Sequence, residues 1–203
     1  MTLISGLLLL LEPKPSAPLS GLTLMSAEID VQPEERLFAS QADHGWQSIV
    51  IHDTGMSYGS ADSLNNIHAS VGKDGLAHHF VINNGTEKQD GLIEIGYRWQ
   101  RQESGAFLDE LAAEDDAELQ RIRWFNNNGI GIAVVGDLDR KSMTGKQMDE
   151  LVWLVKQLQE RYSIPATEVY VQVGSGRQGI TPRFQEARFR QQLLRINTQA
   201  STE

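Results

Sequence analysis

The stretch "GIGIAVVGD", residues Gly129 to Asp137, decides the fold. It is short, β-branched and apolar at consecutive positions, with no alternation of polar and apolar residues. Such a run reads as a strand buried on both faces, and so as the centre of a sheet covered by helices on either side. Working outward, "WQSIVIHD" (Trp46 to Asp53) reads as a strand that ends in the turn residues of "TGMSYGS". "LAHHFVINNG" (Leu76 to Gly85) and "GLIEIGYRW" (Gly91 to Trp99) read as two more strands, so that Ala77 to Trp99 forms a hairpin. "EVYVQVG" (Glu168 to Gly174) supplies a fifth.

Helical patterns lie between these strands. Ser60 or Asp62 caps a helix in which Leu64, Ile67, His68 and Val71 recur at helical spacing, which predicts a buried face that includes His68. Thr144 and Gln147 have the spacing of a capping box, and Met148, Leu151, Val152, Val155, Leu158 and Tyr162 then form one apolar stripe. That helix must cover a sheet face. "PRFQEARFRQQLLRI" (Pro182 to Ile196) reads as a last amphipathic helix. The acidic segment Leu108 to Phe125 reads as a solvated helical insertion. The predicted fold is α/β: one domain over 45–196, with a mixed central sheet of about five strands flanked by helices.

Composition narrows the function. The 203 residues are 40% hydrophobic and 22% charged, enough for one well-cored domain. A formal charge of -9 argues against nucleic acid or an anionic membrane as partner, because phosphate contacts need a concentrated basic surface. With no cysteine, disulfides and thiol chemistry are excluded, and any metal site must use His, Asp or Glu. Residues 1–44 read as an apolar leader and Pro-containing arm, and 197–203 as a polar tail. The apolar run Leu3 to Leu11 is far shorter than the roughly 20 residues that span a bilayer. If it acts as a signal or anchor, the expected location is the cell envelope or periplasm, and otherwise the cytoplasm.

The ordered series "IVIHDTG", "SLNNIHAS", "HHFVINNG", "IEIGYRW", "GAF", "NNNGIGIAVVGDLD", a helix opening T-x-x-Q, "RYSIP" and "TPRF" resembles the zinc-dependent N-acetylmuramoyl-L-alanine amidases and the related peptidoglycan recognition proteins. The resemblance spans Gln47 to Phe189. It implies a groove for the glycan-linked stem peptide and cleavage of the amide between muramic acid's lactyl group and L-alanine. Peptidoglycan fragments or stem peptides are the implied partners, with a protein partner as the alternative. Catalytic zinc needs three protein ligands and one open position for the water it activates. By resemblance the first ligand is His52.

The other two implied ligand positions are occupied by the segment around Gln172 and Val173 and by Thr181. A neutral amide or hydroxyl is a poor substitute for imidazole, carboxylate or thiolate. The first motif's second histidine is Asp53 here, and the histidine of the family's "GAH" is Phe107. His78 stands where many members carry a groove tyrosine, which makes it the candidate catalytic residue and substitute metal ligand. His78 and His79 are expected to diverge, with His78 facing His52. The resemblance therefore implies a degenerate zinc site, zinc weakly bound or absent, and a binding module; an active amidase with an altered metal site is the alternative. Candidate substrate contacts are Asp53, Thr54, Arg98, Phe107, Asn126 and Thr181. Each has a plainer reading: Asn126 as a turn cap, Arg98 in a surface ion pair, His68 as a hydrogen-bonded core histidine, His44 as solvated. Tyr58, Trp99 and Trp124 are candidates for stacking on sugar rings or for ordinary core and rim positions.

Overall fold

The computed structural model describes residues 37–38, 44–172 and 182–194. Five strands form one sheet: β1 (Ser48–Asp53), β2 (Phe80–Ile82), β3 (Ile93–Ile95), β4 (Gly129–Val134) and β5 (Val169–Gln172), in the order β3-β2-β4-β1-β5. All pairings are parallel except the β2–β3 hairpin. This is the expected mixed α/β sheet, with β4 central and buried along its whole length.

Five α-helices accompany the sheet among the described residues: α1 (Ala61–Ser70), α2 (Tyr97–Arg101), α3 (Asp116–Asn128), α4 (Gly145–Tyr162) and α5 (Glu186–Leu194). Ile49, Ile51, Ile130 and Ile132 point to one face and pack with Leu151, Leu154, Val155 and Leu158 of α4 and Phe189 of α5. The opposite face carries Val81 and Ala133, which pack on Leu64 of α1. It also carries Tyr170, paired with Val50, and the ring of Phe125 on α3 lies 5.0 Å from that of Tyr170. His52 belongs to this second face, between the contributions of α1 and α3.

Several elements differ from the sequence reading. The strand expected over Gly91 to Trp99 ends at Ile95; Gly96 caps α2, and its carbonyl accepts from the N–H groups of Trp99 and Gln100. Of the stripe expected on α1, only Leu64 is fully buried, while Ile67 is 37% and Val71 68% exposed. That helix meets the sheet with one side of its first two turns, and Val71 is already its C-cap. The acidic segment is helical from Asp116 and mostly exposed. Its helix, α3, runs directly into β4 and buries Ile122 and Asn126. The core also reaches back before Gly45, since Leu37 is buried and its carbonyl accepts from Trp99 Nε1.

The capping box of α4 forms as read. Thr144 Oγ1 accepts from the Gln147 N–H, and Gln147 Oε1 accepts from the Thr144 N–H. Gln147 is also buried, and its Nε2 donates to the carbonyls of Ile82 and Val135 beyond the ends of the ladder. One amide thus joins α4 to β2 and to the end of β4. Gln147→Ala strips the cap of one partner and takes the side-chain donor from the buried Val135 carbonyl, while Ile82 O keeps the Val135 N–H, a cost of about 1–3 kcal/mol. Urea denaturation is expected to show a lower midpoint with an unchanged slope.

Candidate functional site

The site grows from the C-terminal ends of the parallel strands. His52 sits near the end of β1, flanked in register by Ala133 on β4 and Gln172 on β5. Its ring centroid is 5.4 Å from that of His78 and 5.5 Å from that of Phe107. His78 in turn lies 5.6 Å from His68 on α1 and stacks on Phe107 at 6.0 Å. Three imidazoles from three parts of the chain therefore form a row, two of them against one phenylalanine ring.

His78 reaches His52 as expected, but not through strand alternation. With Phe80 facing α4, ideal alternation would turn His79 toward the His52 face. The chain bends before β2 begins, and His78 takes that place instead. His79 Nδ1 accepts from the Gly131 N–H, which leaves the proton on Nε2 to donate to the Glu103 carbonyl. Both nitrogens of His79 are thus committed to the backbone. Its ring packs on Trp46 and Trp99.

Phe107 is held in place by missing side chains. A Cβ on Gly131 would meet its Cδ1 at 2.3 Å, and a Cβ on Gly105 would meet its ring carbons at 2.4 Å. The phenylalanine lies on bare backbone and is 8% exposed. The loop that carries it is pinned by residues expected to touch substrate. Asn126 Oδ1 accepts from the Leu108 N–H, and its Nδ2 donates to the Leu108 carbonyl. Arg98 is turned inward, without the expected surface partner: Nε donates to Leu76 O, Nη1 to Ser104 O and Nη2 to Asp74 O. Asp53 Oδ2 accepts from the Leu138 N–H, and Thr54 Oγ1 accepts from the Gly136 N–H, tying the end of β1 to the loop after β4. Thr181 lies outside the described residues. His44, expected to be solvated, is exposed yet has its ring nitrogens on the Gln102 and Asn127 carbonyls. Trp99 is core, whereas Tyr58 and Trp124 are exposed.

Lys73 is a site residue that sequence reasoning missed. It lies in the turn after α1, half-buried, with Nζ donating to the Ala106 carbonyl at 2.7 Å. No periodicity marks it, and only folding brings residue 73 beside residue 106. The electrostatics of the row follow from burial and this charge. Burial, followed by the Lys73 ammonium, pushes the His52 pKa down to about 4. Burial pushes that of His79 down to about 4 as well, and that of His78 well below its ordinary value with help from His52, His68 and Lys73. His68 is lowered by burial and by Lys73, while its Nδ1 accepts from the Ala77 N–H. His52 Nε2 and both nitrogens of His78 are buried without a hydrogen-bond partner among the described residues.

A zinc ion needs a third protein donor besides His52 and His78. Among the described residues no three His, Asp or Glu side chains come together in a way that could hold a metal ion. The strand neighbours of His52 are an alanine and an amide, and a phenylalanine covers the two imidazoles. His52 and His78 are two donors, and no third stands beside them among the described residues; Val173 and Thr181, at the other implied positions, lie outside these.

Two predictions follow from these contacts. Gly131→Ala forces Phe107 off the sheet and costs about 1–3 kcal/mol, and in a double-mutant cycle with Phe107→Ala the cost of the double mutant is expected to fall short of the sum of the two single costs. Protonated His52 and His79 are disfavoured in the fold, so the unfolded chain binds more protons at mildly acidic pH. Stability is then full above about pH 6.5 and is lost as pH falls toward about 4. Thermal melts over that range, with NMR titration of the imidazoles, would test both the direction and the window.

The sequence pattern of the N-acetylmuramoyl-L-alanine amidase family matches residues 42–182. In structure the chain is similar to the N-acetylmuramoyl-L-alanine amidase LysC from Clostridium intestinale URNW, with 21% identity, 76% of this chain and 91% of that chain covered, and a TM-score of 0.53. It is also similar to PGRP-SA of the bumblebee, with 16% identity, 70% and 80% coverage, and a TM-score of 0.50. Identities at this level speak for the fold. No curated protein matches the chain. The family pattern takes in most of the 203 residues, strand β1 with His52 and the Phe107 loop among them, and the chain belongs to the N-acetylmuramoyl-L-alanine amidase family.

Proposed function

We propose that this chain recognises peptidoglycan fragments on the His52 face of the sheet and does not cleave them by the zinc chemistry of its family. Amide hydrolysis at neutral pH calls for an activated water and a charge sink for the oxyanion, which a three-ligand zinc supplies together. The observation that carries the reading is the Phe107 ring packed against His52 and His78, with Gln172 beside His52 in register. Two neutral imidazoles do not replace a Lewis acid worth several kcal/mol of transition-state stabilisation. Family membership supports peptidoglycan as the ligand, and the cell envelope is then the expected place of work.

A second reading, an active amidase with a rebuilt metal site, is favoured by one observation: the unpartnered nitrogens of His52 and His78. Metal analysis of the purified protein and digestion of muropeptides separate the two. The binding reading expects substoichiometric zinc, no release of stem peptides, and heat on titrating muropeptides in a calorimeter. Stoichiometric zinc with stem-peptide release that His52→Ala abolishes would establish the amidase instead. If no muropeptide binds and none is cleaved, both readings fail and a protein partner takes their place.

A further inference from the structure

Two imidazoles of the row, His52 and His78, have ring nitrogens with no hydrogen-bond partner among the described residues. His78 is 8% exposed, yet neither of its ring nitrogens is hydrogen-bonded, and His52 Nε2 is in the same condition. Buried polar groups ordinarily have a partner, and a guest with hydrogen-bonding atoms would supply one here. The charge around the row decides what kind of guest. Lys73 is held there by the Ala106 carbonyl, next to Phe107, whose ring touches both His52 and His78. The link continues through the Ala106 N–H to Ala77 O and the Ala77 N–H to His68 Nδ1, so that Lys73 and the imidazoles share one hydrogen-bonded frame. Among the described residues no carboxylate forms an ion pair with Lys73. The acid that acts on it most is Asp109, which is exposed and whose Oδ1 accepts from the Leu111 N–H. Arg98, the other nearby cation, spends its guanidinium on three backbone carbonyls.

A cation entering this row would meet an ammonium and a guanidinium with no carboxylate in the row to offset them. An anion would meet an ammonium with two N–H groups to spare and imidazoles able to donate. We propose that Lys73 and the His52–His78–His68 row form a carboxylate-recognition site, so that the bound peptidoglycan fragment is read by an anionic group of its peptide stem. This rests on the peptidoglycan-binding reading and deepens it, by naming the charge that the site selects and Lys73 as the residue that selects it.

The test is calorimetry of the full chain with two probes, N-acetylmuramoyl-L-alanyl-D-glutamate and its diamide, which differ in the carboxylates alone. The wild type is expected to prefer the diacid by about tenfold, a charge-assisted contact in a partly buried setting. That preference should shrink as salt rises from about 0.05 M to about 0.5 M. Lys73→Met is expected to bring the diacid-to-diamide ratio close to one, while Lys73→Arg, which keeps the charge, retains much of it. Circular dichroism and thermal melts of each variant establish that it is folded. Equal affinity of the wild type for the two probes, or an undiminished preference in folded Lys73→Met, overturns the carboxylate site and leaves peptidoglycan binding standing. Binding of neither probe overturns both.

Discussion

The seat of Phe107 on Gly131 is the contact around which this molecule's candidate site is arranged. Strand β4 is buried on both faces, and α4 with its stripe covers one of them. On the other, Gly131 presents bare backbone, and so the surface must be filled from outside the sheet. A buried phenylalanine is worth about 1.5–3 kcal/mol, and the side chains around the 104–108 loop hold it where that gain is realised. Asn126 grips Leu108 by both backbone groups, Arg98 takes the Ser104 carbonyl and Lys73 the Ala106 carbonyl. The histidines then have a hydrophobic wall to lie against. Their depressed pKa values follow first from burial against that wall and only then from neighbouring charges, Lys73 among them.

Much of this was legible in the residue order. The consecutive apolar residues of Gly129 to Val134 gave away the central strand, because only a two-sided burial tolerates such a run. The capping box at Thr144 could be read from four residues, since its hydrogen bonds are local. His52 and His78 could be singled out and paired. What was not legible depends on contacts between distant parts of the chain. Ile67 and Val71 keep helical spacing with Leu64, but spacing does not say how far a sheet extends beneath a short helix. Tyr97 to Trp99 read as strand because the residues are large and β-prone; the hydrogen bonds accepted by the Gly96 carbonyl turn them into a helix. Arg98 and Asn126 illustrate a further limit. Polar residues beside a site are equally suited to touching a ligand and to building the loop that does, and only the geometry separates the two.

The chain carries -9 overall, and Asp109, Glu110, Glu114, Asp115 and Asp116 lie exposed in the segment leading into α3. This surface would repel an anionic ligand if long-range fields governed binding. They do not at physiological ionic strength, where the screening length is about 8 Å. Within the row, by contrast, an ion pair at about 4 Å interacts with about 4 kcal/mol at an effective dielectric of 20. Lys73 is half-buried and the imidazoles are shielded by Phe107, so the local field is the less screened of the two. A protein that is acidic as a whole can therefore be anion-selective at this place; in the proposed carboxylate site the acidic segment before α3 would weigh mainly on the rate of approach and Lys73 on how long a ligand stays.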